Sequence, residues 1–97
     1  MIQTFGDQGT EDIYNGVNSK RASKTLPADL HRVARRKLDL LNRARHLAVL
    51  KSPPNNKLEA LTGDLQGFWS IRINDQYRVV FQWHALDAFK VRIMDYH

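Results

Sequence analysis

The sequence predicts an α+β domain: an N-terminal strand, two helices, then a three- to four-stranded antiparallel meander, with the helices packed on one sheet face. Two observations carry that prediction. Apolar residues recur at helical spacing through the middle of the chain, and in the last third they alternate with polar ones at strand spacing. With 97 residues, 42% of them hydrophobic, the chain is read as one domain, residues 1–97, around one modest core.

Met1 to Phe5 reads as a short strand ending at Gly6. Thr10-Glu11-Asp12 reads as a helix start, with a hydroxyl cap and acids where the helix dipole favours them, and Gly16 stops that helix after one or two turns. Asn18 to Leu26 is polar and basic and reads as a loop. Pro27-Ala28-Asp29 opens the main helix, along which Leu30, Val33, Ala34, Leu38, Leu41, Ala44 and Ala48 mark an apolar stripe. The run Ser52-Pro53-Pro54-Asn55-Asn56 ends it. Beyond, Trp69, Ile71 and Ile73 share one face against Ser70 and Arg72. Tyr77, Val79, Phe81 and Trp83 alternate with Arg78, Val80 and Gln82, and Phe89, Val91 and Ile93 with Lys90, Arg92 and Met94. Turns at 74–76 and 84–87 join these runs into a meander.

Charge is the first functional signal. The net charge is +5, and it is unevenly placed: residues 18–51 hold ten cations against two acids, a net of +8, while the remainder carries five cations and eight acids, a net of −3. Arg32, Arg36 and Arg43 fall on the polar face of the main helix with Asp39. Such a face attracts polyanions, either a nucleic acid or an acidic protein segment, and charge alone does not choose between them. The absence of cysteine removes disulfides and thiolate chemistry. No apolar run approaches the roughly 20 residues that span a bilayer. The N-terminus has no basic and apolar leader, so a cytoplasmic protein without membrane contact is expected.

The polar sheet face carries Ser70, Arg72, Arg78, Gln82 and Arg92, and the chain ends Asp95-Tyr96-His97. Arginine suits bidentate contact with phosphate. Metal-free RNA cleavage needs cations on the charged phosphorane, a base for the 2′-hydroxyl and an acid for the leaving oxygen. The bland reading is that these arginines are solvent-facing charges and Tyr96 a rim aromatic. His31 and His46 read as surface residues, and the four histidines show no metal-ligand spacing, so neither a metal nor a cofactor is expected. Trp69 and Trp83 read as core. Glu59 stands as a lone candidate base.

Three stretches resemble the HigB toxins of the RelE/ParE superfamily. Residues 52–64, SPPNNKLEALTGD, are similar to that family's helix-to-sheet connection. Residues 67–81, GFWSIRINDQYRVVF, are similar to its first hairpin, and Asp95-Tyr96-His97 to its ending. The resemblance implies a compact RelE-like fold and a metal-independent endonuclease that cuts mRNA in the ribosome's decoding site. It also implies neutralisation by a helix-turn-helix antitoxin, HigA, with the complex repressing its own operon on operator DNA. Carried onto this chain, it implies that Arg78 stabilises the scissile phosphate, that Tyr96 and His97 move protons or orient the nucleotide, and that Asp95 positions them. Arg72 and Arg92 are secondary candidates by strand parity. Arg32, Arg35, Arg36 and Arg43 are expected to grip ribosomal RNA, and Lys57 to contact RNA from the connection. Some members place a histidine and a lysine before the sheet where this chain has Glu59 and Thr62. That departure implies a weaker nuclease or one relying more on its C-terminus. A ParE-like poison of DNA gyrase and a non-catalytic corepressor are the competing readings.

Overall fold

The computed structural model describes residues 1–95. Three helices, α1 (Gln8–Asn15), α2 (Lys20–Thr25) and α3 (His31–Arg43), precede a four-stranded antiparallel sheet. Its strands β1 (Glu59–Ala60), β2 (Trp69–Arg72), β3 (Tyr77–His84) and β4 (Asp87–Asp95) lie in sequence order. The N-terminal segment borders β4 in parallel: Ile2 bridges Ala88 and Phe5 bridges Val91. It makes isolated bridges rather than the regular strand its sequence suggests.

Asp7, not Thr10, caps α1, accepting from the Thr10 amide at 2.7 Å. The Thr10 hydroxyl is instead buried and accepts from the Ile93 amide at 2.9 Å, tying α1 to β4. Gly16 ends the helix in the left-handed conformation, as its position suggests. The expected loop at 18–26 contains α2. Ser19 caps it, accepting from the Ala22 amide at 3.1 Å, and Ala22 and Leu26 are fully buried. Two apolar residues four apart are enough to seat a single helical turn amid otherwise polar sequence.

The apolar stripe Ala34, Leu38 and Leu41 buries α3 against the sheet. The helix stops at Arg43 rather than running on to Ala48, which is exposed. Nine residues of continuous helix would turn Leu50 roughly 180° away from Leu41. Breaking at Ala44 lets a 3₁₀ segment, Leu47–Lys51, bring Leu50 into the same core. His31, expected on the surface, is buried, its Nε2 2.7 Å from the Leu26 carbonyl oxygen, and it seals the entry to α3.

Strand parity places Ile71, Val79, Phe81, Val91 and Ile93 in the core, with Trp69 and Trp83 packed at its margin. Phe89 departs from the expected parity. Between the pairs Gln82↔Phe89 and Val80↔Arg92, β4 has one residue more than β3, and Lys90 takes a positive φ of 53°. This bulge turns Phe89 onto the face of Gln82, away from Val91.

Candidate active site

The sheet face opposite the helices is built around Arg78. Cross-strand pairing places Glu59 beside Ser70, Ser70 beside Val80, and Val80 beside Arg92, so these four residues form a row across all four strands. Arg78 is only 8% exposed. Its Nε donates to Ser70 Oγ at 2.8 Å, and a terminal nitrogen donates to the Lys57 carbonyl oxygen at 2.5 Å. The other terminal nitrogen lies 3.8 Å from Glu59 Oε1, whose side chain is 51% exposed. The guanidinium is thus held by a strand hydroxyl and a loop carbonyl, with an accessible carboxylate beside it.

Local structure explains why the Lys57 carbonyl is available. Lys57 adopts a left-handed conformation, φ 47°, at the end of the short 3₁₀ turn Pro54–Asn56. Beneath that turn, the fully buried Asn56 donates from Nδ2 to the carbonyls of Leu50 and Ser52, each at 3.2 Å, and accepts from Lys37 Nζ. Asn56 therefore fastens the connection to α3, and the connection in turn meets Arg78. The Lys57 side chain stays exposed.

The other sequence candidates sit elsewhere. Arg72 pairs with Arg78 in backbone register, yet its guanidinium goes to Asp75, whose carboxyl is held below its usual value by that hydrogen bond and by the arginine's charge. Arg72 also lines a cleft with α3. Arg92 lies across Val80 from Ser70 and reaches Asp7 at 3.8 Å. Asp95 ends β4 opposite Tyr77 and accepts from Gln76 Nε2 at 3.0 Å. Tyr96 and His97 lie outside the described residues.

On α3, Arg32 and Arg36 are exposed and Arg43 pairs with Asp39 at 3.3 Å. Arg35 is half-buried and donates to the Ile13 carbonyl at 2.9 Å. Among the described residues no cluster of three or more His, Cys, Asp or Glu stands close enough to hold a metal ion. No helix there is long and apolar enough to cross a membrane. In the sequence Ser70 stands as a neighbour of the arginines without a role, and Asn56 only as part of the run that ends the helix.

Comparison with known proteins gives this geometry a family. The profile of the HigB-like toxins, described as RelE-like toxins of type II toxin–antitoxin system HigB, matches residues 3–97. Toxin HigB-1 of Vibrio cholerae is 39% identical over 83 residues, covering 86% of this chain and 84% of that protein. Endoribonuclease HigB of Proteus vulgaris is 31% identical over the full length of both. In fold, the chain is similar to a YoeB–YefM complex structure from Staphylococcus aureus, with a TM-score of 0.60 at 16% identity over all of this chain and 98% of that one. A match over nearly the whole chain, with a relative 39% identical across most of its length, makes this protein a member of the HigB-like toxins of type II toxin–antitoxin systems.

Proposed function

We propose that the protein is a toxin that cuts mRNA on the ribosome as a metal-independent endoribonuclease. The observation that carries this reading is the Arg78 guanidinium, buried and braced by Ser70 and Lys57 on the sheet face opposite the helices, with the exposed Glu59 alongside. A preorganised cation of this kind stabilises charge that develops on a phosphorane, because it needs no reorganisation as the charge appears. The relative named as an endoribonuclease supports the reaction type.

In this scheme the 2′-oxygen attacks phosphorus, the 5′-oxygen leaves, and a 2′,3′-cyclic phosphate results. Glu59 is the base for the 2′-hydroxyl; its exposure lets substrate reach it. Tyr96 and His97, with Asp95 positioning them, protonate the leaving oxygen, and Arg92 and Lys57 hold flanking phosphates. Arg72 makes a secondary contribution from the adjacent strand. The exposed cations of α3, Arg32, Arg36 and Arg43, with Arg35 between them, contact ribosomal RNA. A HigA-like helix-turn-helix antitoxin neutralises the toxin in the cytoplasm, and their complex represses its own operator DNA.

The test is cleavage of a defined mRNA with and without programmed 70S ribosomes, mapped by primer extension. Magnesium is kept for the ribosome, and a transition-metal chelator is added in parallel. Codon-register cuts that need the ribosome, survive the chelator and disappear in Arg78→Ala and His97→Ala are expected. Absence of cuts alongside inhibition of DNA supercoiling would replace this reading with gyrase poisoning.

A further inference from the structure

The bulge at Lys90 changes what the Arg78 face offers a substrate. Along β3, Arg78, Val80, Gln82 and His84 take one side of the sheet by strand period, and the pairing Gln82↔Phe89 adds an aromatic ring to that side. Phe89 meets His84 there, with ring centroids 5.6 Å apart and planes at 62°, an edge-to-face contact. His84 is exposed and Phe89 half-buried. Two rings thus reach solvent at the β3–β4 turn, on the face whose other end holds Arg78.

The N-terminal segment fixes this arrangement. Thr4 Oγ1 accepts from the Lys90 amide at 2.8 Å, the Thr4 carbonyl from the Val91 amide at 3.1 Å, and the Val91 carbonyl from the Gly6 amide at 2.7 Å. Without the extra residue Phe89 would share the side of Val91 and face the helices. Between the rings and Arg78 runs the row Ser70, Val80 and Arg92. The Arg92 side chain is 48% exposed, and its pair with Asp7, at 3.8 Å, is of the weak surface kind. Asp87, opposite His84, is paired with the Met1 ammonium at 3.3 Å. Arg78 and Gln82 stand about 13 Å apart at the rise of a strand, a span that an extended RNA strand crosses in a few nucleotides. Single strands bind through cations on their phosphates and aromatic rings against their bases, and this face carries both in sequence.

We propose that His84 and Phe89 form a stacking subsite for one base of the RNA substrate, a few nucleotides from the scissile phosphate, with Arg92 on a phosphate between. The subsite takes its substrate class from the ribonuclease reading above. Its contribution is to the hold and register of the strand, not to bond breaking, so it is measured without cleavage.

The experiment is fluorescence anisotropy of the full-length protein at low salt with a fluorescein-labelled 2′-O-methyl RNA decamer, which has no free 2′-hydroxyl to attack phosphorus. A second decamer of equal length and charge is abasic. The base-bearing decamer is expected to bind about tenfold more tightly than the abasic one. Phe89→Leu keeps an apolar side chain and removes the ring; it is expected to weaken the first probe about tenfold and the second by less than about twofold. Phe89→Tyr keeps the ring and stays within about twofold on both. His84→Ala, at an exposed position, is expected to cost the base-bearing probe alone about threefold, and it decides if melting curves show that Phe89→Leu does not fold. Equal losses on both probes, no loss on either, or no binding of the base-bearing decamer overturns the subsite. Cleavage of mRNA on programmed 70S ribosomes by the parent protein separates the two readings. Cutting without any base-dependent loss removes the subsite alone, whereas base-dependent loss without cutting removes the nuclease and upholds the subsite.

Discussion

Replacing Asn56 by Ala removes three hydrogen bonds at once: two donated to the carbonyls of Leu50 and Ser52, and one accepted from Lys37. A neutral bond contributes about 1 kcal/mol net and one to a charged group about 1.5–3 kcal/mol. Lys37 can turn to water, so its share is taken at the low end. The buried Leu50 carbonyl has no such escape. The expected loss is about 3.5 kcal/mol, which for a domain of this size lowers Tm by roughly 14–28 °C. Calorimetry at pH 7 measures it, with two companions to apportion the loss. Lys37→Met keeps the stem and removes only the charge-assisted bond, for a loss of about 1.5 kcal/mol. Asn56→Asp keeps the acceptor for Lys37 but points a carboxylate at two carbonyls, and is expected to be no more stable than the alanine variant. A melting point for Asn56→Ala within about 3 °C of the parent, or an Asn56→Asp protein as stable as the parent, would refute the donor role and with it the fastening of the loop that meets Arg78.

Asp12 predicts the acid limb of stability. Hydrogen bonds from Ser19 and Gln8 hold its carboxyl below the ordinary 3.8, with the Arg21 charge adding to them and burial opposing. A depressed carboxyl stabilises the fold above its unfolded value and loses that contribution as pH falls through its folded one. Asp12→Asn should therefore lower Tm at pH 7 and flatten the decline below about pH 4; parallel pH–Tm curves for the two proteins would contradict this. Gly9→Ala is expected to destabilise by about 1–3 kcal/mol, although the same change normally strengthens a helix. A Cβ there meets Thr25 Oγ1 at 1.9 Å and the Arg21 carbonyl at 2.8 Å, and Thr25→Ala should restore part of the loss in a urea titration. Arg78→Lys keeps the charge but loses the fork that spans Ser70 and Lys57, and should lower single-turnover cleavage by about 10²-fold; an unchanged rate would remove Arg78 from the chemistry.

The fold was legible wherever one local pattern dominated. The alternation over 69–83 identifies β2 and β3 and their facing, and the stripe Ala34, Leu38 and Leu41 identifies α3. Elements settled by distant partners were not legible. A single turn such as α2 has too few residues for periodicity, and what seats it is burial of Ala22 and Leu26 against other elements. Thr10 resembled a cap because caps are hydroxyls, but an amide on β4, 83 residues away, claims its oxygen. The Lys90 bulge leaves no mark in an alternating string, so Phe89 appeared to share a face with Val91.

The site divides along the same line. Parity brought Ser70, Arg78 and Arg92 to one face, because a strand's period decides which side a residue takes. Parity cannot decide where a long side chain goes once there. Arg72 and Arg78 are cross-strand partners, yet one guanidinium lies buried between a hydroxyl and a carbonyl while the other turns to Asp75 and the α3 cleft. The difference lies in what flanks each strand end. Arg78 has the Lys57 carbonyl above it, delivered by a turn that Asn56 fastens. Arg72 adjoins the loop that supplies Asp75 and faces a helix flank of like charge, which gives it no reason to fold back over the sheet. Two arginines equivalent in the sequence pattern are thereby separated in place: one braced beside Glu59, the other completing a cationic cleft.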